Sequence, residues 1–275
     1  MAVFETQKYG KAKINYEDYG SGQPVILIHG WPLSGKSWEH QQREILDAGF
    51  RCITYDRRGF GKSEGPMEPY DYSALANDLQ ELICELDLKE CIIVGFSMGG
   101  GEVVRYLTDF GSDRIAKAAL ISSIIPLVAK KEDNPNGVPQ EGLEDIMNAL
   151  KDDRVGFLKD FGKTFYGYDN NKDRMSEGQL DFDWNIAAGA SPLATIKTAE
   201  AWAGTDFRSE MKNVDVPTLI VHGSGDDVVP KITAGDQAAE GIPNNDYHVI
   251  DGAPHGLNVT HKKELNKILV DFLKS

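Results

Sequence analysis

The sequence predicts an α/β fold: a mostly parallel, eight-stranded sheet with helices on both faces and an inserted helical cap. Three observations predict it. Short, continuously apolar runs such as Val25-Ile26-Leu27-Ile28 and Ile92-Ile93-Val94 recur, as strands covered on both faces require. Stretches with helical spacing of apolar residues alternate with them, the signature of a doubly wound sheet. The alternation then breaks from Ile124 to about Trp202, where no buried strand is legible.

Taken in order, Val3 to Tyr9 and Lys13 to Tyr19 alternate apolar and polar residues around Gly10-Lys11, which reads as an antiparallel hairpin at one sheet edge. The Val25–Ile28 strand ends in His29-Gly30-Trp31-Pro32, and Ser34 can cap a helix over roughly Lys36 to Ala48. Phe50 to Tyr55 is a buried strand followed by Asp56-Arg57-Arg58-Gly59-Phe60-Gly61-Lys62-Ser63. Leu75, Leu79, Leu82, Ile83 and Leu86 give Tyr72 to Leu86 a helical face. Cys91 to Glu102 then joins a strand to a helix reaching about Gly111, and Ala116 to Ser122 is the next core strand.

Beyond Ser123 the chain turns helical and aromatic, with Phe157, Phe161, Phe165, Tyr166, Tyr168, Phe182 and Trp184. An insert of this size is too long for a plain loop, so a helical cap at about 124–205 is expected, its aromatics divided between its own core and a ligand pocket. The sheet resumes at Val216 to Val221. A helix over about Ile232 to Glu240, a last strand at Asp246 to Ile250 and an amphipathic helix from His261 to Leu273 follow. No repeat or linker divides residues 1–275, which therefore read as one domain with an inserted cap.

Bulk composition narrows the function classes. With 29 Lys and Arg against 43 Asp and Glu, the formal charge is −14, which disfavours nucleic acid and anionic membrane surfaces as partners. Three cysteines, Cys52, Cys84 and Cys91, form no CxxC pair and argue against a disulfide framework. MAVFETQKYG lacks the basic-then-apolar order of a signal peptide, and no apolar stretch is long enough to cross a bilayer. A cytoplasmic location is the expectation.

Chemistry concentrates at Gly95-Phe96-Ser97-Met98-Gly99, a G-x-S-x-G elbow between a strand and a helix. The glycines let neighbouring backbone approach, and the helix N-terminus points its amides at the Ser97 hydroxyl. A serine needs an imidazole to take its proton and a carboxylate to orient that imidazole. Among six histidines, His255 alone follows the last strand in a turn, between Pro254 and Gly256. His29 and His222 read as loop-holding residues, and His40, His248 and His261 as surface or helix positions. Asp226 is the acid, with its neighbour Asp227 equally admissible on chemistry alone. The order serine, acid, histidine is that of the α/β-hydrolase triad. An oxyanion hole is expected from the backbone N–H groups of Met98 and Trp31, since Pro32 has none. Trp31, Pro32, Phe96, Phe161 and Trp184 are expected to shape the substrate pocket. No histidine or cysteine spacing indicates a metal site, and no cofactor is implied.

The segments HGWPLSGKSWE, YDRRGFGKS, GFSMGGGEVVRYL, DVPTLIVHGSGDDVVP and GAPHGL resemble the cofactor-free haloperoxidase, arylesterase and perhydrolase family of α/β-hydrolases across essentially the whole chain. The resemblance implies the triad Ser97, Asp226 and His255, choosing Asp226 over Asp227, with Trp31 and Met98 amides as the oxyanion hole. It implies hydrolysis of small carboxylic esters, and peracid formation when hydrogen peroxide replaces water against the acyl-enzyme. A small-molecule ester or carboxylic acid is the partner expected, with hydrogen peroxide as co-substrate, and dimers or larger homo-oligomers occur in the family. Ser224-Gly225 departs from the family, which more often has an acidic residue after His-Gly; the change is expected to affect the loop and not the mechanism. The same triad would also serve an amide, lactam or carbon–carbon bond hydrolase, and some receptors on this scaffold keep it without turnover. Steady turnover of an activated ester separates enzyme from receptor.

Overall fold

A computed structural model describes residues 2–275. Eight strands form one sheet in the order β1-β2-β4-β3-β5-β6-β7-β8. They are β1 (Ala2–Glu5), β2 (Lys13–Tyr19), β3 (Pro24–Ile28), β4 (Arg51–Tyr55), β5 (Cys91–Phe96), β6 (Ile115–Ile121), β7 (Thr218–Gly223) and β8 (Asn245–Ile250). β1 pairs antiparallel with β2, and β2 with β4, while every pairing from β4 through β8 is parallel. All residues of β3 and β5 are buried, which explains their unbroken apolar runs. The first strand is shorter than its alternating pattern suggests, ending at Glu5.

Helices α1 (Glu39–Asp47), α2 (Tyr72–Glu85) and α3 (Met98–Phe110) follow β3, β4 and β5 as crossover elements. Asp71 caps α2 by accepting from the Ala74 N–H. Between β6 and β7 lie α4 (Gln140–Phe165), α5 (Glu177–Gly189) and α6 (Pro192–Gly204). Ser176 and Ser191 cap α5 and α6 through their hydroxyl oxygens, and Pro192 opens α6 without wasting a donor. α4 is two helices meeting at Asp153, whose backbone leaves helical geometry. The Asp153 carboxylate accepts the Gly156 N–H at 2.9 Å and so restarts the helix as an internal cap. Three helices close the chain: α7 (Gly235–Gly241), the short α8 (Leu257–Thr260) and α9 (Lys262–Lys274). α8 has no separate signal in the sequence, being one turn long. No helix among the described residues is long and apolar enough to cross a membrane.

One residue of the helices between β6 and β7 carries an electrostatic penalty. Asp183 on α5 is buried, and burial pushes its carboxyl up to about 6. A carboxyl whose folded value exceeds its unfolded one contributes stability that is complete below about pH 4 and lost as pH rises through about 6. Asp183→Asn is therefore expected to raise the melting temperature at pH 7.5 and leave it nearly unchanged at pH 4. Thermal unfolding at the two pH values checks this.

Candidate active site

The C-terminal ends of β3, β5, β7 and β8 converge on one point, as ligand-binding loops do in open parallel sheets. β5 delivers Ser97, which caps α3 with φ +52° and ψ −118°, a strained conformation for a residue with a Cβ. The turn closes only because its flanks are bare. A Cβ at Gly95 would collide with the Gly99 and Gly100 backbone, and one at Gly99 with the Ile28 carbonyl. Gly30 lies against the nucleophile in the same way, where a Cβ would sit 3.2 Å from Ser97 Cβ and nearer still to the Phe96 ring.

Asp226 sits in the turn after β7, where its Oδ1 accepts the Val228 and Val229 amides at 3.0 and 2.7 Å. His255 sits in the loop after β8. The two loops are laced together by Ser224, whose hydroxyl donates to Asp251 Oδ1 at 3.0 Å and accepts the Gly252 N–H at 2.7 Å. The Gly225 N–H adds a bond to the Ala253 carbonyl at 3.0 Å. His255 Nδ1 lies 2.8 Å from Asp226 Oδ2, and its Nε2 lies 2.8 Å from Ser97 Oγ. A carboxylate only accepts, so Nδ1 carries the hydrogen and Nε2 is free to receive the serine proton. Burial opposes ionisation of Asp226, but the imidazoles of His255 and His222, each turning an N–H edge toward the carboxylate, outweigh it and hold the carboxyl far below the usual range. The His255 ring is clamped by Phe165, with centroids 4.8 Å apart, and by Phe96 at 5.5 Å.

Ser97 and His255 open into a cavity of about 250 Å³. Its wall is mainly apolar: Trp31 and Met98 flank the serine, Phe161 and Trp202 come from α4 and α6, and Ile124 and Val128 from the segment after β6. Trp31 is fixed edge-on between Phe161 and Trp202, with centroids 5.7 Å away in each case. Its indole N–H donates to the Thr195 carbonyl of α6 at 2.9 Å.

Comparison with known proteins gives this geometry a lineage. The alpha/beta hydrolase fold family matches residues 23–262. A non-heme chloroperoxidase of Kitasatospora aureofaciens is 38% identical over 95% of this chain and 96% of its own. The chain belongs to the α/β-hydrolase family. Within it, the chain stands in the non-heme haloperoxidase and esterase/perhydrolase group. A bifunctional esterase/perhydrolase of Acinetobacter calcoaceticus is 36% identical over 95% of this chain and 96% of its own. The crystal structure of a bromoperoxidase from Bacillus anthracis superposes with a TM-score of 0.95 at 44% identity, covering 100% of both chains.

In this α/β-hydrolase the residues expected to line the pocket divide. Trp31 and Phe161 do so, whereas Phe96, Pro32 and Trp184 are placed elsewhere. Phe96 is fully buried between Trp38, Phe165 and the underside of His255, because the residue before the nucleophile faces the core when Ser97 faces the cavity. Pro32 and Trp184 border a separate crevice of about 20 Å³ beneath α5, and the Trp184 indole donates to the Val155 carbonyl at 3.1 Å. Asp227 is exposed, lines the cavity and makes no bond to His255, leaving Asp226 as the histidine's partner. His29 and His222 are both buried among loop hydrogen bonds; His40 lies on α1 and His248 on β8, but His261 is buried where α9 begins.

The sequence reading passed over Arg57 and Glu102. Arg57 Nε donates to Glu102 Oε1 at 2.6 Å, its Nη2 bonds Glu102 Oε1 and the His29 carbonyl, and the pair is fully buried. The Arg57 amide donates to His29 Nε2 at 2.9 Å, and Tyr55 Oη donates to Glu102 Oε2 at 2.8 Å. Burial and the Arg57 charge hold His29 well below its usual pKa, so it stays neutral. This pair ties the His29–Gly30 turn to α3, fixing Trp31 relative to Ser97. Their signal was the charged residue inside each quoted motif, YDRRGFGKS and GFSMGGGE.

Proposed function

We propose that this α/β-hydrolase cleaves small, neutral carboxylic esters through an acyl-enzyme on Ser97, and forms peracids when hydrogen peroxide replaces water. The observation that carries the reading is the unbroken line Ser97–His255–Asp226, with 2.8 Å at both links, opening into an apolar cavity. Ser97 Oγ attacks the acyl carbon as His255 Nε2 takes its proton. His255 passes that proton to the departing alkoxide, and the alcohol leaves. The oxyanion is held by the amides of Trp31 and Met98, the latter at the positive end of α3. Water or hydrogen peroxide then gives a proton to His255 and attacks the acyl carbon. Ser97 leaves with that proton, and the product is an acid or a peracid. Halide oxidation follows outside the triad, as the peracid transfers one oxygen to halide and becomes the carboxylic acid.

Residues 124–205 act in this reading as the cap that sets acyl size. The three thiols, Cys52, Cys84 and Cys91, are unpaired, which suits a reducing cytoplasm. Neutral substrates are favoured because no Lys or Arg lines the cavity among the described residues, while Asp227 places a carboxylate at its wall. Asp227→Lys is expected to raise kcat/KM for an anionic hemisuccinate ester about five-fold relative to the matching acetate. Paired kinetics on the two esters check it.

The deciding experiment treats the protein with a sulfonyl fluoride and maps the adduct while following p-nitrophenyl acetate turnover. One adduct, on Ser97, with loss of turnover is the expected result. Peracetic acid appearing only when both ester and hydrogen peroxide are supplied would then establish perhydrolysis. Full turnover in protein carrying the adduct would defeat the reading.

A further inference from the structure

His222 lies on β7, four residues before Asp226, and is completely buried. Its Nε2 is 2.7 Å from the Val229 carbonyl oxygen and 3.2 Å from Asp226 Oδ2. A carbonyl only accepts, so Nε2 carries the hydrogen. Nδ1 is buried with no partner among the described residues, which an unprotonated nitrogen bears at less cost than an N–H would. The N–H on Nε2 therefore bonds the Val229 carbonyl and presents its positive edge to Asp226 Oδ2 at 3.2 Å.

Asp226 Oδ1 receives the Val228 and Val229 amides, Oδ2 receives His255 Nδ1, and His222 Nε2 stands 3.2 Å from the same Oδ2. An ionised carboxylate has about four lone-pair sites, so three donors leave one, on the side of Oδ2 that the His222 N–H approaches. Two imidazoles draw on one oxygen, and what one takes the other loses.

We infer that His222 is a positioning residue for His255, acting through the acid: by sharing Asp226 Oδ2 it fixes the rotation of the carboxylate and limits the negative charge offered to the catalytic imidazole. The inference rests on the esterase reading of the triad and adds a residue to it. A weaker partner for His255 stabilises its protonated form less than an undivided carboxylate would. The alternative role is local, with His222 only bracing the acid turn through Val229.

The other groups around the pair can be named. Ser97 and Asp227 share the cavity with His255, and Tyr166 packs on the following Gly256. Behind His222, α7 brings Gly235 against its ring together with Tyr247 Oη, and Asp236 there is bonded by Lys231 and Tyr247. None of these changes in the variants below.

The test follows the His255 imidazole by NMR across pH in wild type, His222→Leu and His222→Gln, alongside pH profiles of kcat and KM for p-nitrophenyl acetate. Leucine removes the donor. Glutamine places an amide N–H close to where Nε2 stood. The expected result for His222→Leu is a His255 titration raised by about half a unit or more, and kcat lowered about ten-fold with KM little changed. His222→Gln is expected to restore both. A folded His222→Leu whose His255 titrates as in wild type overturns the inference, and so does a His222→Gln as perturbed as the leucine variant. If His222→Leu does not fold, His222→Asn replaces it with the same expectation, its amide being too short to reach Oδ2. The titration needs no turnover. Absence of esterase activity in the wild type would thus overturn the functional reading alone, and an unmoved titration this inference alone.

Discussion

Ser97→Ala is expected to lower kcat for an activated ester by about a million-fold and to leave the fold intact. The size follows from the geometry. Among the described residues, His255 Nε2 bonds one hydroxyl, Ser97 Oγ at 2.8 Å, so no second nucleophile stands ready there. The triad acts as a unit, so removing its nucleophile forfeits nearly everything except what the oxyanion amides and the cavity supply by themselves. The fold should not notice. Ser97 already holds a Cβ at φ +52°, so alanine adds no strain that serine did not carry. Its backbone bonds, from its N–H to Ile121 O and from the Gly100 and Ile124 amides to its carbonyl, are untouched. The check is turnover by the purified variant, with thermal unfolding beside it. Ester hydrolysis at an appreciable fraction of the wild-type rate would remove Ser97 from the mechanism.

What the sequence made legible was whatever depends on local pattern. Strands such as Val25–Ile28 announce themselves because both faces are buried, and the elbow because two bare residues at fixed spacing around a serine have a steric reason. The grouping of Ser97, Asp226 and His255 was readable because sheet topology puts strand ends together, and the structure places the three side chains in one line. Side-chain direction was not readable in the same way. Phe96 and Ser97 are adjacent, yet one faces the core and the other the cavity, so proximity in sequence to the nucleophile misplaced the first. Trp184 failed for a different reason. The aromatics of α4 to α6 have no periodicity that separates a pocket wall from a helix interface, and Phe165 and Trp202, not Trp184, reach the cavity. The kink at Asp153 also escaped, since an internal cap looks like any acidic residue on a long helix. The charged motif residues Arg57 and Glu102 sit 45 positions apart, and no local rule couples them.

That pair sets the second large expectation. Glu102→Ala is expected to destabilise the fold by about 3–5 kcal/mol, because it leaves the Arg57 guanidinium buried without its counter-charge. At this chain length the melting temperature should fall by about 10 °C. Glu102→Ala also strands the Tyr55 hydroxyl, which has been donating to Oε2. An ion pair's loss says little about its worth, since a buried pair replaced whole by apolar groups is often neutral. The informative partner is therefore the double variant Arg57→Met, Glu102→Leu. It is expected to regain most of the lost stability while staying well below wild-type kcat, because methionine cannot hold the His29 carbonyl as Arg57 Nη2 does at 2.7 Å. With that bond gone, the turn carrying Trp31 is free to drift from Ser97, and in the proposed mechanism an oxyanion donor misplaced by an ångström costs on the order of a hundred-fold in rate. Recovery of both stability and kcat in the double variant would make the pair a remnant of folding alone. Stability without rate would identify it as the strut that holds the oxyanion loop against α3.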